Sequence, residues 1–573
     1  MHHACRVESL EARLAPAGIV TFIDVDGDDV TVTSSKGDSA ALAKVLSLNP
    51  VGVGSQLLRI DLSQNKIFSG TNLSVTARPG TLGGDGFVNV GFVNATGLSI
   101  GAVKVAGDLG KLTSGIGNAA IPSLRSLDVQ SLGRYGTSTG APDLFTSIND
   151  ACGSITIRGD VVGARLNIAT TATSLRIGGS LIGGSVNGDG NIAIGNAVGS
   201  LVIGGSVLAG TAANTARVSV LGSVKTLSIG GDVIGGTFPQ SATVSVAGAT
   251  VGPVAIKGSV VGGSGNASGQ VLLPKVASLT VGGDVLGGDG DTSGRLEVTN
   301  SVTTLDVAGS VLGGDGDFSG RVIVNSTVPV TPLKTATIRG SVAGGGGDGS
   351  GTVLCFVPGG TLAIGKDVRG GAGASSGAVT ADTLQRLTIG GSVFAGPGVA
   401  SGGLRVGNSV GVLRIAGSVA GTASRFALIT AGGAGQSIGS LSVGGRMEKS
   451  LVLAGYSQAS TPQAVSAGSI GGVTVGGDLV ASSIVAGVRN PGFPNFGNDA
   501  DIAFPSTTIS RIGAITVRGS VMGTIAAGDH FGFVAEQIGG VTIGKTKQTI
   551  PAVGGFTAIG TTGDVTIHVV APG

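Results

Sequence analysis

Apolar residues alternate with polar or small residues along most of the chain, in short runs that glycines interrupt. In the stretch LTVGGDVLGGDGDTSG, Leu279, Val281 and Val285 stand ahead of a tail of glycine and aspartate. A two-residue period of Val, Ile and Leu is typical of β-strands, and frequent glycine disfavours helices. The pattern therefore predicts an all-β protein built from very short strands.

One strand-like motif recurs with a nearly constant period. It reads Leu or Val, any residue, Ile or Val, any residue, Gly, Ser or Asp, and then Val or Leu. Its copies begin at residues 103, 155, 175, 201, 227, 254, 279, 305, 336, 362, 387, 413, 441, 473, 515 and 541. The third position moves by 26 residues from Ile177 to Ile203 and again to Ile229, and the longest later step is 42 residues, from Val475 to Val517. A fixed period in this range indicates a repeat architecture.

Each repeat contains three short strand-like pieces separated by glycine corners, which predicts one coil of a parallel β-solenoid. In a solenoid, each strand pairs with its equivalent one coil further on, at a spacing of ~4.8 Å. We expect Leu279 and Val281 to point inward and to stack on Leu305 and Val307, whereas Thr280 points outward. Because coils bury a core only by stacking, several repeats are needed for stability.

Two rival folds fit the repeat less well. A β-propeller blade needs about 40–45 residues and four strands, so a 26-residue unit is too short. About sixteen sequential units are too many for one antiparallel sandwich. The predicted fold class is therefore all-β, a parallel β-solenoid of about 26-residue coils with a small N-terminal β cap or domain.

The sequence predicts three regions. Residues 1–20 form an N-terminal signature segment, residues 21–100 a β cap or small β domain, and residues 101–573 the solenoid. A loop insertion at 487–510 accounts for the longest step in the repeat. Insertions in solenoids form loops on one face, which is often the binding face.

Both ends of the chain carry further strand signals. Residues 21–37, TFIDVDGDDVTVTSSKG, indicate a β-hairpin with a type I′ turn around Asp26 and Gly27. Residues 57–62 predict another strand, and residues 562–573 predict the last strand or a C-terminal cap.

Composition narrows the function classes. Of 573 residues, 109 are glycine without an every-third period, which excludes collagen, and 41% are hydrophobic, which excludes a disordered chain. The formal net charge is +2 with no run of Lys or Arg, so we expect no nucleic-acid partner. Glycine, serine and threonine interrupt every apolar run, so we expect no membrane span. Cys5, Cys152 and Cys355 are an odd number without a CxxC pair, which favours buried or free thiols over a zinc site or a disulfide framework.

The N-terminal segment RVESLEARLAPA resembles the signature of planctomycete-type extracellular and surface proteins, a Leu-Glu-Pro-Arg element followed by leucines and small residues. Leu10, Glu11, Arg13 and Leu14 fit the signature, and Ala12 replaces the expected proline. The Gly-rich coils also resemble large surface proteins that carry this signature. The resemblance implies export to the cell envelope or beyond, although the N-terminus lacks the apolar stretch of a standard signal peptide.

The glycine-aspartate corners suggest one possible cofactor, calcium. GGDGDTSG and its echo GGDGDFSG one coil later offer Asp289, Asp291, Asp315 and Asp317 as oxygen ligands from adjacent coils. The acids stand at the wrong positions for calcium-binding nonapeptide repeats, and later corners lose them. A solvated corner that needs positive φ is the favoured interpretation.

A second acidic stretch lies in the N-terminal hairpin. Asp24, Asp26 and Asp28 alternate along DVDGDD, but the distant glutamate of an EF-hand loop is absent. A hairpin turn is favoured there, with a surface calcium site as the alternative.

Aromatic residues concentrate near the insertion. Phe493, Phe496 and Phe504 lie within it, and Tyr456 lies in an earlier long step of the repeat. They either pack the long loop onto the solenoid or form a site for a binding partner.

Carbohydrate-active β-helix enzymes, of the polysaccharide lyase or hydrolase type, are the main catalytic alternative. Candidate acids on successive coils are Asp232, Asp284, Glu297 and Asp306. However, other copies of the motif have serine at the position of Asp232 and Asp284, and such an interchange is typical of a polar position that points outward. The four histidines, His568 among them, show no partner pattern, and no catalytic motif is present.

The sequence therefore predicts an extracellular or cell-surface rod with a structural or adhesive role, no catalytic residues and no cofactor other than possible calcium. The expected partners are a cell-envelope component, an extracellular polysaccharide or another protein. A polysaccharide-degrading enzyme and a calcium-stabilised surface repeat protein remain the alternatives.

Overall fold

The computed structural model of the protein describes residues 17–118, 121–325, 333–526 and 528–573. It is all-β, with 50% strand and 3% helix, and most strands pair in parallel, which confirms the predicted β-solenoid. The signature residues Leu10 to Leu14 and Cys5 lie outside the described residues. No helix in the described part of the chain is long and apolar enough to cross a membrane.

The chain divides into two compact units. The first extends to Gly184 and includes 188–204 and 220–222, and the second comprises 185–187, 205–219 and 223–573. The strands of the first unit are Gly18–Ile23, Asp28–Ser34, Leu46–Val51, Gly54–Asp61, Leu73–Pro79, Val90–Thr96, Ile100–Gly115, Leu124–Leu132, Phe145–Ile148, Cys152–Ile157, Val161–Val162, Arg165–Ile168, Ala172–Ile177, Leu181–Ile182, Ile192–Ile194 and Val198–Ile203. Its helical segments are the α-helix Ser39–Lys44 and the 3₁₀ turns Leu62–Gln64, Lys66–Phe68 and Gly136–Thr139.

The predicted N-terminal hairpin is present, but its turn differs from the prediction. Gly18–Ile23 pairs antiparallel with Asp28–Ser34, so four residues connect the strands instead of two. Gly27 has a positive φ of 110°, whereas Asp26 does not have the positive φ that a type I′ turn requires. The Asp24 carboxylate closes the loop by accepting hydrogen bonds from the N–H groups of Gly27 and Asp28.

Parallel stacking begins inside the segment 21–100 that the sequence assigns to a cap. The strand Gly54–Asp61, which contains most of the predicted strand at 57–62, pairs in parallel with Val90–Thr96. Leu73–Pro79 pairs in parallel with Ile100–Gly115. The antiparallel strands thus lead directly into the first coils of this unit.

The coils of the second unit contain three strands, which we name a, b and c in chain order, except that the coil after Gln537–Ile543, within the described range 528–573, has no b-strand. The a-strands are Val224–Ile229, Thr250–Ile256, Gln270–Val281, Arg295–Val307, Thr335–Ile338, Thr361–Ile364, Leu384–Ile389, Val410–Ile415, Gly435–Val443, Gly468–Val475, Arg511–Val517 and Gln537–Ile543. The b-strands are Val207–Leu208, Val233–Ile234, Val260–Val261, Val285–Leu286, Val311–Leu312, Val342–Ala343, Val368–Arg369, Val393–Phe394, Val419–Ala420, Met447–Glu448, Leu479–Val480 and Val521–Met522.

The c-strands close each coil. They are Val218–Val220, Thr243–Val246, Arg321–Val324, Val353–Cys355, Val379–Ala381, Leu404–Val406, Ala427–Ala431, Ser450–Ala454, Ser483–Ala486, Phe531–Ala535 and Val565–Val569. In two coils, the c-strand is the first part of the long strand that starts at Gln270 or Arg295. The short pair Val488–Arg489 and Ile502–Ala503 lies in the insertion, and Thr546–Lys547 and Gly555–Ile559 add antiparallel strands near the C-terminus.

The core is a set of apolar ladders in register from coil to coil. Leu279 pairs with Leu305 and Val281 with Val307, and each of these side chains is at most 3% exposed. Thr280, between them, is exposed, so the predicted inward and outward positions are confirmed. Burial of each such side chain contributes about 1.5–3 kcal/mol.

The two described cysteines are free and buried, as the odd cysteine count indicates. Burial raises the pKa of the Cys152 thiol to about 12 and that of the Cys355 thiol to about 11. Both thiols therefore act as small core side chains.

Candidate functional site

The aspartates of the glycine-rich corners form a hydrogen-bonded ladder along the stack. The Asp291 carboxylate accepts the N–H of Asp317 at 3.0 Å, and the Asp317 carboxylate accepts the N–H of Asp348 at 2.8 Å. One coil earlier, Asn266 plays the same part for the N–H of Asp291, at 3.1 Å. Backbone hydrogen bonds between coils continue in the corner, as from the Thr292 N–H to the Asp317 carbonyl, and the side-chain oxygens satisfy N–H groups that these bonds do not reach.

A second ladder lies beneath these corners and is fully buried. The Ser293 hydroxyl accepts the N–H of Gly288 at 3.0 Å, and Ser293 is 0% exposed. The same hydrogen bond, from a backbone N–H to the hydroxyl five residues later, recurs at Thr215, Ser241, Ser268, Ser319, Ser350, Ser376 and Ser401. This ladder was not predicted, although its signal is present in the sequence as a serine or threonine at the end of successive corners.

In this corner, the residues with positive φ stand at its end, and neither of them is an aspartate. Thr292 has φ of 55° and Gly294 has φ of 62°. A Cβ on Gly294 would lie 1.8 Å from the Leu286 carbonyl oxygen, so only glycine fits there. The expectation of a corner with positive φ is confirmed, but the residues that need it are not the aspartates.

The four aspartates proposed as calcium ligands, Asp289, Asp291, Asp315 and Asp317, are all exposed. Within the described ranges, the acids that bring three carboxylate oxygens within 4.8 Å of one another are a different set, Asp24, Asp26 and Asp28. Calcium at the corners stays a prediction, and the ladder gives Asp291 and Asp317 another role.

The Asp24 group is the second acidic site that the sequence indicates. Asp24 is 4% exposed, and burial, followed by the hydrogen bond with Asp26, raises its pKa to about 6. Asp28 is fully buried, and its carboxylate accepts the N–H of Gly86 at 2.9 Å. The three acids are the described group whose geometry best suits a cation, although Asp24 and Asp28 also serve as hydrogen-bond acceptors for the loop backbone.

The aspartates considered as catalytic acids are engaged in a third ladder. The Asp232 carboxylate accepts the N–H of Ser259 at 2.7 Å, and the Ser259 hydroxyl accepts the N–H of Asp284 at 3.1 Å. Asp284 then accepts the N–H of Ser310 at 2.6 Å. Serine and aspartate interchange at this position because both provide an oxygen acceptor for the next coil.

The two remaining candidate acids form ion pairs. Glu297 contacts Arg295 at 2.5 Å, and Asp306 contacts Arg339 at 2.7 Å. The hydrogen bond from the Arg339 guanidinium lowers the pKa of Asp306 below its ordinary value. Asp306 is therefore not held in the raised-pKa state that a general acid requires.

The aromatic residues of the insertion mainly pack it onto the c-strands. Phe496 is 0% exposed and lies edge to face against Tyr456, with the ring centroids 6.4 Å apart. Tyr456 is 2% exposed, and its hydroxyl donates to the Val488 carbonyl. Phe493 and Phe504 are half-buried, and Phe493 packs edge to face against Phe496 at 5.9 Å. Tyr456, Phe493, Phe496 and Phe504 do not form one exposed site, because Tyr456 and Phe496 are buried in the packing of the insertion.

A buried polar network fastens the insertion to the last c-strand. His568 Nδ1 lies 2.9 Å from Asp501 Oδ2, a partner that no pattern around the histidines indicates in the sequence. The Asp501 carboxylate also accepts from the Asn490 amide at 2.7 Å and from the Gly497 N–H at 2.8 Å. The Thr566 hydroxyl donates to the Gly497 carbonyl at 2.7 Å.

A surface cleft in the first unit combines exposed rings with polar side chains. It consists of two adjoining recesses of about 220 Å³ each, which share Phe87 and Gln130, and we name it the Phe87 cleft. The first recess is lined by Asp85, Phe87, Asn89, Gly107, Asp108, Gln130, Ser131, Arg134 and Tyr135. The second is lined by Phe87, Lys104, Val105, Ala106, Asp128, Gln130 and Arg158.

The rings at this cleft are open to solvent. Phe87 is 45% exposed and Tyr135 is 49% exposed. Tyr135 is one of two tyrosines in the chain, and the other, Tyr456, is buried. The only exposed tyrosine therefore lies in a recess of the surface.

A buried carboxylate fixes the segment that carries Tyr135. Asp108 is 1% exposed and accepts hydrogen bonds from the Ser131 hydroxyl at 2.7 Å and the Arg134 N–H at 3.1 Å. The Tyr135 N–H donates to the same carboxylate at 3.3 Å. Asn89 completes the anchor by accepting the Asp108 N–H at 3.1 Å. Burial raises the pKa of Asp108 above its ordinary value.

The sequence did not point to this cleft, because its residues come from separate segments of the chain. Parallel stacking of the coils brings together Asp108, Gln130 and Tyr135. Phe87 reaches them from the loop between the strands Leu73–Pro79 and Val90–Thr96. Comparison with protein-family models, curated proteins and solved structures returned no match to this chain.

Proposed function

We propose that the protein is an extracellular or cell-surface β-solenoid with a structural or adhesive role and without catalytic activity. The observation that supports this role best is the set of side-chain ladders. The repeated polar residues, which an enzyme would need for chemistry, instead satisfy backbone N–H groups of the next coil, as in the series Asp232, Ser259, Asp284 and Ser310.

The same ladders suit a structural role on physical grounds. Each coil presents an apolar interior and polar groups that pair with the neighbouring coil, so stability accumulates with every coil added. The exposed Asp291 accepts the N–H of Asp317 in the next coil, and the fully buried Ser293 accepts the N–H of Gly288 within its own corner. A stack of this kind is suited to holding a surface at a distance or to presenting binding sites.

A surface location is supported by the N-terminal resemblance of RVESLEARLAPA. The proposed partners are a cell-envelope component, an extracellular polysaccharide or another protein. The catalytic alternative requires a pair of acids free to exchange protons. The candidate acids Asp232 and Asp284 instead accept backbone N–H groups of the next coil.

Cell fractionation tests this proposal. An antibody against the chain should detect it in the envelope fraction or in the medium, with a cytoplasmic enzyme as the marker for lysis. A chain that co-purifies with the cytoplasmic marker would overturn the proposed location and role.

A further inference from the structure

We propose that the Phe87 cleft is a binding site for a neutral polysaccharide, which it holds across both recesses. This inference rests on the proposed adhesive function and names the ligand class of a site for it. Four features of the cleft lead to this ligand: its rings, its polar groups, its charge balance and its shape.

The rings provide apolar surface inside a recess. Phe87 and Tyr135 each keep nearly half of their surface exposed, at 45% and 49%. Ligand recesses use aromatic faces in this way, and a ligand with C–H faces gains free energy by covering them. Sugar rings present C–H faces together with hydroxyl groups at their edges.

The polar groups suit a ligand that both donates and accepts hydrogen bonds. The Gln130 side chain lines both recesses, and an amide offers a donor and an acceptor together. The Tyr135 hydroxyl likewise does both. The anchored Asp108 carboxylate holds the backbone at Arg134 and Tyr135, so the segment that carries the Tyr135 side chain is ordered before a ligand arrives.

The charges of the cleft cancel and therefore favour a ligand without net charge. Its charged lining residues are three acids and three bases, Asp85, Asp108, Asp128, Lys104, Arg134 and Arg158. Asp128 and Arg158 also form a bidentate ion pair, with both oxygen–nitrogen distances 2.8 Å. An acidic polymer would meet as many repulsive as attractive groups.

The shape favours a chain over a compact molecule or a protein. Each recess has about 220 Å³, below the ~300–1,000 Å³ of a pocket for a drug-sized ligand. A ligand that fills both must be narrow and pass over Phe87 and Gln130. A stable protein interface buries about 1,600 Å² of rather flat surface, which two small recesses do not offer.

The test measures binding of the purified full-length chain to soluble neutral polysaccharides by affinity electrophoresis and calorimetry. The probes are dextran, laminarin, galactomannan and arabinoxylan, with alginate as the charged comparison. We expect at least one neutral polymer to bind, with an affinity that changes less than about twofold between low and moderate salt because no net charge is involved.

Matched variants locate the site. Phe87→Ala and Tyr135→Ala should each weaken binding about fivefold or more, since the loss of a stacking ring is worth roughly one kcal/mol. Tyr135→Phe keeps the ring and should retain most of the affinity. Phe145→Ala removes a comparable ring, 42% exposed in the same unit but outside the cleft, and should bind as the wild type does. Unchanged thermal unfolding of each variant confirms that the fold is intact.

Three results would overturn the proposal: no binding of any neutral probe, equal loss in Phe145→Ala and Tyr135→Ala, or binding to alginate alone that salt abolishes. These results are independent of cell fractionation. A chain that binds a neutral polymer but resides in the cytoplasm would refute the proposed location and leave the cleft assignment standing.

Discussion

Replacing Ser293 by alanine tests whether the buried serine hydroxyls stabilise the corners of the coils. The Ser293 hydroxyl is fully buried and accepts the Gly288 N–H at 3.0 Å. The substitution removes one oxygen and leaves that N–H without an acceptor, which costs about 1–3 kcal/mol. Thr215 occupies the equivalent position in an earlier coil, so Ser293→Thr keeps the hydroxyl and should lose much less stability.

Native-state hydrogen exchange is the appropriate assay, because a long stack of coils opens locally and need not unfold in one step. In Ser293→Ala, the amides of Gly288 and of its neighbours in the coils on either side should exchange about five- to 150-fold faster, the factor that 1–3 kcal/mol corresponds to. Amides several coils away should be unaffected. Equal exchange in Ser293→Ala and the wild type, or equal damage from alanine and threonine, would refute the reasoning.

Three further predictions follow from the acids. Asp291→Asn should leave the thermal midpoint unchanged and insensitive to EDTA, because an amide oxygen can still accept the Asp317 N–H, whereas Asp291→Ala should lower the free energy of unfolding by about 0.5–1.5 kcal/mol. If EDTA lowers the midpoint of the wild type and Asp291→Asn lowers it to the same extent, calcium at the corner would be favoured instead. Asp501→Ala should make the insertion sensitive to limited proteolysis, because three buried donors lose their acceptor. Asp499 is exposed in the same loop, so Asp499→Ala should leave the insertion resistant, and equal cleavage of the two variants would contradict the network around Asp501. The pKa of Asp24 is raised from 3.8 to about 6, so the folded hairpin holds a proton that the unfolded chain releases, and this contribution to stability is lost as the pH rises through about 6. Asp24→Asn should therefore flatten the pH dependence of thermal unfolding between about pH 4 and pH 7, and an unaltered dependence would show that the ionisation is not coupled to folding.

The coil architecture could be predicted because its cause is local and repeated. Leu279 and Val281 show the two-residue period of a strand, and the same pair recurs as Leu305 and Val307 after 26 residues. Repetition turns a weak local signal into a strong one, because every copy must satisfy the same stacking geometry. The interchange of serine and aspartate likewise marked a shared position, although its role as an acceptor for the next coil became clear only from the hydrogen bonds.

The sites were harder to predict because they depend on contacts between distant residues. Asp501 and His568 are 67 residues apart, so no short motif announces their pairing. Phe496 gives the same sequence signal whether it is exposed or buried, and the packing against Tyr456 decides between the two. The Phe87 cleft arises where a loop, two strands and a turn meet, a juxtaposition that the register of the coils creates.

We propose that the protein has a structural or adhesive role and performs no chemistry. The most direct measurement incubates the chain with a neutral polysaccharide that it retains, and follows both retention and the appearance of new reducing ends or unsaturated sugars. We expect stable retention, weakened in Tyr135→Ala, with products that do not exceed those of a protein-free control. Products that accumulate in proportion to the concentration of the chain would contradict it.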